Sequence, residues 1–192
     1  MPFLASIIIA AGNSSRLGQA KQLVEFNNQK LIQNIADIAL NNCQSVSCIL
    51  GFQAEKISDQ LNHSDMTILH NQQWTQGMGT SIALGINQLT EKADAVMILL
   101  SDQWLLTNND INQLITQWHT TPDKIIASQY YDNKKEILTV GAPVIFPKEY
   151  FPYLQQLRET GAKNLLKKFN QHLIKVQLDN AAFDLDTPED LD

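Results

Sequence analysis

Two textures alternate along the chain. Short apolar runs at residues 4–10, 46–50, 67–69 and 95–100 carry Ile, Val and Leu at successive rather than alternating positions. Strands apolar on both faces belong inside a parallel sheet with helices above and below. Between them, residues 30–40, 54–61, 79–89 and 109–118 read as helices, and Leu114, Ile115 and Trp118 continue the apolar face of the last. The cluster Asn108-Asn109-Asp110 ahead of Ile111 supplies it with a cap. Strand–helix alternation predicts an α/β fold built on an open, mostly parallel sheet with helices on both faces.

The second half is less regular. Residues 124–129 and 137–140 flank YYDNKKE, where Asp132-Asn133 is a turn signal, and GAPVIFP, bracketed by Gly141 and Pro147, reads as a further short strand. Together they predict a small antiparallel excursion on the parallel core. Helices follow at 148–157 and 162–169, then a strand near 173–176. The closing FDLDTPEDLD is an acidic loop entering a short helix, with Pro188 in its first turn. No repeat or linker interrupts the pattern, so one domain is expected over residues 1–192.

Composition narrows the function classes. A chain of 192 residues is long enough to bury roughly 70% of its unfolded surface. Its net charge is −6, and no basic stripe offers a surface for nucleic-acid backbone. Cys43 and Cys48 stand five apart with no second ligand pair, and His63, His70, His119 and His172 are scattered, so no zinc site is expected. The start MPFLA lacks the basic region of a signal peptide, and no apolar run approaches the roughly 20 residues of a membrane helix. These features predict a soluble, cytoplasmic, reduced protein without membrane or nucleic-acid partners, and a monomer by default.

The end of the first strand carries the strongest chemistry. In an open parallel sheet, ligands bind beyond the carboxyl ends of the strands. Here SIIIA runs into a loop with Gly12, Ser14, Arg16, Gly18 and Lys21. Glycines let a backbone approach a ligand closely, loop N–H groups can form an anion-binding hollow, and Arg16 and Lys21 add charge. That set of residues points to a polyphosphate. It is neither the Walker loop nor the dinucleotide fingerprint: five residues separate Gly12 from Gly18, and no glycine lies two places after Gly12.

The pattern A-A-G-x-S-x-R-x-G-x-x-K, read from Ala10, Ala11, Gly12, Ser14, Arg16, Gly18 and Lys21, resembles the signature loop of nucleotidyltransferases that attach a nucleotide to molybdopterin. Within the MobA-like NTP transferases it is most similar to the molybdenum cofactor cytidylyltransferases. NQQWTQGMGTSIALGI resembles that branch's N-x-x-W-x-x-G-M-x-x-S segment. SDQW resembles its A-D-Q-P, with Ser101 for alanine and Trp104 for proline. FDLDTPEDL, GAPVIF and ETGAKNLL resemble its D-[IV]-D-T-P-E-D-L, G-x-P-v-l-F and G-D-x-G-A-R-x-L-L, the last with Glu159-Thr160 for Gly-Asp and Lys163 for arginine.

The resemblance implies a Rossmann-like nucleotidyltransferase fold and a magnesium-dependent transfer of CMP from CTP to a molybdopterin-type acceptor, releasing pyrophosphate. It implies that Ala10, Ala11, Gly12, Ser14, Arg16, Gly18, Lys21, Gly77, Gly79 and Ser81 bind the nucleotide. Arg16, Lys21 and Asp102 would be catalytic, and Asp102 and Asp186 would hold the magnesium, with Asp184 close by. Trp104, Gly141, Pro143 and Lys163 would face the acceptor, and a transient contact with a molybdoenzyme or cofactor chaperone would follow. Two alternatives stay open: a guanylyltransferase of the same group, and a non-catalytic carrier of cofactor or nucleotide.

Overall fold

The computed structural model describes residues 2–13, 20–61 and 65–185. Its centre is β1 (Leu4–Ala10), buried along all seven residues because apolar side chains alternate between two covered faces. Parallel to it on one side lie β4 (Ser45–Leu50) and then β5 (Met66–His70); on the other lies β6 (Ala95–Leu100). Next comes β8 (Ile137–Pro147), antiparallel to β6, then β7 (Ile125–Asp132), antiparallel to β8, and finally β9 (Leu173–Gln177), parallel to β7. The seven-stranded order is β5-β4-β1-β6-β8-β7-β9.

Helices cover both faces, as the sequence predicts. On one face α1 (Leu31–Asn42) and α4 (Asn108–Thr120) pack Ile32, Ile35, Leu114 and Trp118 against Leu4, Ile8, Met97 and Leu99. On the other, α3 (Met78–Asn87) and α6 (Lys163–Lys168) pack Ile82, Ile86 and Leu166 against Ile7, Ile9 and Ile98. A short α2 (Ala54–Ser58) adds Ile57 to the first layer, and α5 (Phe151–Leu154) adds Leu154 to the second. Among the described residues no helix is long and apolar enough to cross a membrane. Burial pushes the thiols of Cys43 and Cys48 up to about 12, which keeps them protonated.

Three local expectations differ from the structure, and one element is added. The expected pieces 137–140 and 141–147 are one strand; the register shifts opposite Ala127 and Ser128, leaving Ala142 and Pro143 of β8 without ladder partners on β7. Pro143 falls at that shift, where its carbonyl accepts the Ser128 hydroxyl at 2.8 Å. The cap of α4 is Thr107, one residue ahead of the expected cluster, because Thr107 and Asp110 satisfy each other in a capping box. The expected helix 148–157 shrinks to a 3-10 turn (Lys148–Tyr150) and the four-residue α5. A ribbon the pattern does not show, β2 (Glu25–Phe26) and β3 (Gln29–Lys30), turns through Asn27 and Asn28, both at positive φ.

Candidate active site

The carboxyl ends of β1 and β6 meet at one edge of the sheet, and each element there is fixed by buried hydrogen bonds. Past β1, Ala11 is buried while Gly12 is exposed. The Ala11 carbonyl accepts the Phe52 N–H at 3.1 Å. Gln22, in the 3-10 turn Lys21–Leu23, donates from Nε2 to the carbonyls of Ala10 (3.0 Å) and Gly12 (3.4 Å). This buried amide ties the return of the loop to its start and delivers Lys21 beside it. A Cβ added at Gly12 would meet none of the described residues within 4 Å, so among them the space there is open to a ligand. Ser14, Arg16 and Gly18 lie outside the described residues.

Lys21 Nζ donates to Asp102 Oδ2 at 2.5 Å, with the two side chains 16% and 18% exposed. The second oxygen, Asp102 Oδ1, is buried without a hydrogen-bond partner among the described residues. Such an atom costs stability unless a cation or donor completes it. A hard oxygen donor already facing an ammonium fits magnesium, which takes one or two carboxylates together with substrate phosphates. Among the described residues no group of three His, Cys, Asp or Glu could hold a metal ion by itself. The acidic C-terminal segment reaches the same place: Leu185 N–H donates to the Asp102 carbonyl at 3.0 Å, and Gln103 and Asp184 form an antiparallel bridge. Asp186 lies outside the described residues.

Gln103 is a second buried clamp. Its Nε2 donates to the carbonyls of Ala142 (2.9 Å) and Ala181 (2.8 Å), joining the end of β6 to β8 and to the C-terminal turn. Gly77, Gly79 and Ser81 meet protein rather than open space. A Cβ at Gly77 would lie 2.1 Å from the Glu159 carbonyl oxygen, and one at Gly79 would lie 2.4 Å from that of Arg158. The Ser81 hydroxyl accepts from Asn71 Nδ2 at 2.9 Å, and Thr80 N–H donates to the Arg158 carbonyl at 3.0 Å. These contacts join the start of α3 to the ETGAK segment, two motifs the sequence lists separately.

The four acceptor residues divide. Gly141 and Lys163 line one cavity of about 260 Å³, together with Met78, Leu100, Tyr130 and Asp184. Asp184 thus connects this cavity to the Asp102 edge. Trp104 does not belong to it. The ring stands edge-on to Phe26 (centroids 4.5 Å apart) and lines a different cavity, with Asn27, Leu31 and Asn34. The β2–β3 ribbon draws Trp104 away by offering an apolar partner. Pro143 is buried in β8 and does not line the 260 Å³ cavity, because its position is taken up by the register shift.

Tyr130, Gln22 and Gly51 are the neighbours that sequence patterns do not single out. Burial, reinforced by the charges of Asp184, Asp132 and Asp102, pushes the Tyr130 hydroxyl up to about 12, so it stays a neutral donor. A Cβ on Gly51 would lie 2.6 Å from Trp74 Cβ and 2.7 Å from the Ala11 carbonyl oxygen, so glycine lets β4 end close against both. The adjacency of Gln22 to Lys21 was the one available hint; nothing local marks Tyr130 or Gly51.

The MobA-like NTP transferase domain family matches residues 6–176, and the chain belongs to it as a nucleotidyltransferase. It is 24% identical over 196 residues to the molybdenum cofactor cytidylyltransferase of Escherichia coli (strain K12), covering 99% of this chain and 94% of that one. It is equally 24% identical, over 198 residues, to nicotine blue oxidoreductase of Paenarthrobacter nicotinovorans, covering 100% and 96%. The fold is that of Rv0371c from Mycobacterium tuberculosis H37Rv, with a TM-score of 0.84 at 20% identity over 99% of this chain and 95% of that one.

Proposed function

We propose that this chain transfers CMP from CTP to a phosphate-bearing, molybdopterin-type acceptor and releases pyrophosphate in the cytoplasm. The observation that carries the reading is the Lys21–Asp102 pair at the carboxyl ends of β1 and β6, with one Asp102 oxygen left unpartnered among the described residues. Ala10-Ala11-Gly12 favours the cytidylyl over the guanylyl branch, because the resemblance to the guanylyl branch would put Leu-Ala-Gly-Gly there. Retention of Asp102 favours an enzyme over a carrier, which has no need of a cation-holding carboxylate beside the phosphates.

The proposed chemistry is an in-line displacement. An acceptor phosphate oxygen forms a bond to the α-phosphorus while the bond from that phosphorus to the bridging oxygen breaks, and the electron pair leaves with pyrophosphate. A phosphate monoester is largely ionised near neutral pH, so no general base is required of the protein. Its residues position groups and offset charge. Gly12 leaves room for the triphosphate; Ser14, Arg16, Gly18 and Lys21 would donate to its oxygens. Lys21, already beside Asp102, can reach phosphates held at the same edge. Gly77, Gly79 and Ser81 would serve the nucleotide side by holding the start of α3 against the segment 158–160. Asp102 and Asp186 would hold magnesium, which neutralises charge on the phosphate oxygens when bound. Gly141 and Lys163 would face the acceptor, and the product would pass on through a transient contact with a molybdoenzyme or cofactor chaperone.

Lys21→Met tests the phosphate assignment. Losing one charge-assisted hydrogen bond of about 1.5–3 kcal/mol should weaken CTP–magnesium binding by about 10- to 150-fold, read by calorimetric titration. Wild-type affinity in the folded variant would remove Lys21 from the nucleotide site.

A further inference from the structure

We infer that Tyr130 recognises the phosphate of the acceptor, its hydroxyl donating a hydrogen bond to a phosphate oxygen in the cavity that holds Gly141 and Asp184; this rests on the transferase reading above. Tyr130 lies in β7, opposite Thr139 of β8 and one residue past the last pair that β7 makes with β9. It packs against the core layer beneath α1 and α4, and it also lines the cavity. A Cβ added at Gly141 would stand 3.6 Å from Tyr130 Oη, which places the hydroxyl beside Gly141. With glycine there, no side chain from that position screens the hydroxyl.

Among the described residues the hydroxyl has no hydrogen-bond partner. A half-buried phenol ordinarily finds one. The other three tyrosines differ: Tyr131 and Tyr153 are 50% and 40% exposed, and Tyr150 has the Glu149 side chain as its partner. Besides burial, the charges of Asp184, Asp132 and Asp102 act on the Tyr130 hydroxyl and keep it protonated. It is therefore a donor, and two of those carboxylates are engaged elsewhere, Asp132 by Lys135 and Asp102 by Lys21, each at 2.5 Å. Ile98, Leu100 and Val144 give the cavity apolar walls that suit the organic body of an acceptor. The phosphate belongs where the charges of Asp184 and Asp102 reach, because the transfer is placed at that edge, and the Tyr130 hydroxyl stands within their reach. A neutral donor is what such a place can use. It attracts an anionic phosphate past the carboxylates, whereas a further cation would pair with those carboxylates itself.

The test titrates two probes calorimetrically into the full chain in the presence of magnesium: 6-hydroxymethylpterin, and its phosphate monoester. The wild type should bind the ester more tightly than the alcohol. Tyr130→Phe, which keeps the packed ring, should cut that advantage about tenfold, the lower end for a hydrogen bond to a charged group, and leave affinity for the alcohol as it was. Tyr131→Phe, at an exposed neighbour, should leave the advantage at its wild-type value. An ester without advantage in the wild type, or an advantage undiminished in Tyr130→Phe, would overturn the inference. Equal losses for alcohol and ester in Tyr130→Phe would also overturn it, by assigning the hydroxyl to the pterin ring. A parallel titration with CTP and magnesium separates the two claims. Its failure in the wild type strikes the transferase reading, whereas failure of the pterin comparison beside intact CTP binding strikes only the role of Tyr130.

Discussion

Asp102→Asn is expected to lower turnover about a thousandfold without unfolding the protein, the upper range for loss of one electrostatic stabiliser in a reaction of this type. Asparagine keeps the shape of the side chain but not its charge. The Lys21 ammonium would then face a neutral oxygen in place of the carboxylate it contacts at 2.5 Å. Oδ1, without a partner among the described residues, would become an amide nitrogen or a neutral amide oxygen with little affinity for a cation. The fold should survive because Asp102 is anchored through its backbone, whose carbonyl accepts the Leu185 N–H. Initial rates of pyrophosphate release, with circular dichroism as the control, decide the matter. Turnover within tenfold of wild type would take Asp102 out of the mechanism.

Gly77→Ala is expected to be the most destabilising single change near the site. Gly77 sits at φ 122°, a conformation that costs an alanine about 1–2 kcal/mol. The new Cβ would also stand 2.1 Å from the Glu159 carbonyl oxygen, and overpacking against backbone adds about 1–3 kcal/mol. A combined loss of about 3 kcal/mol lowers Tm by roughly 6–12 °C in a domain of this size. Gly12→Ala is the contrasting control. With none of the described residues within 4 Å of its Cβ, it should shift Tm by no more than about 2 °C while impairing CTP binding. Thermal melts of both variants measure the difference; equal Tm losses would show that the two glycines do not differ in this way.

These two glycines also show how far the sequence could be read. Both occur in motifs, and both invite the same reading as places where a ligand approaches. Only tertiary structure separates them, since the backbone that fills the space at Gly77 is more than eighty residues away. Ile7 to Ile9 and Val96 to Leu99 were legible because burial on both faces leaves a continuous apolar run. The start of α4 was legible to within one residue, and the error arose because Thr107, not the asparagines, has the geometry to bond Asp110. That Trp104 lines a cavity apart from Gly141 and Lys163 was not legible for a different reason: its partner Phe26 belongs to a two-residue strand that no periodicity can reveal. The joining of Asp102 to Leu185 is likewise invisible in either motif; only the resemblance implies that Asp102 and the acidic C-terminal segment lie together.

The most direct measurement is a thermal-shift panel of the wild-type protein with CTP, GTP, ATP and UTP, each with and without magnesium. A nucleotide at about 100 times its dissociation constant stabilises by roughly 2.7 kcal/mol, which is about 5–10 °C for a domain of this size. That shift is expected for CTP, dependent on magnesium, and little for the other three. No shift with any nucleotide, or a shift that is the same without magnesium, would contradict it.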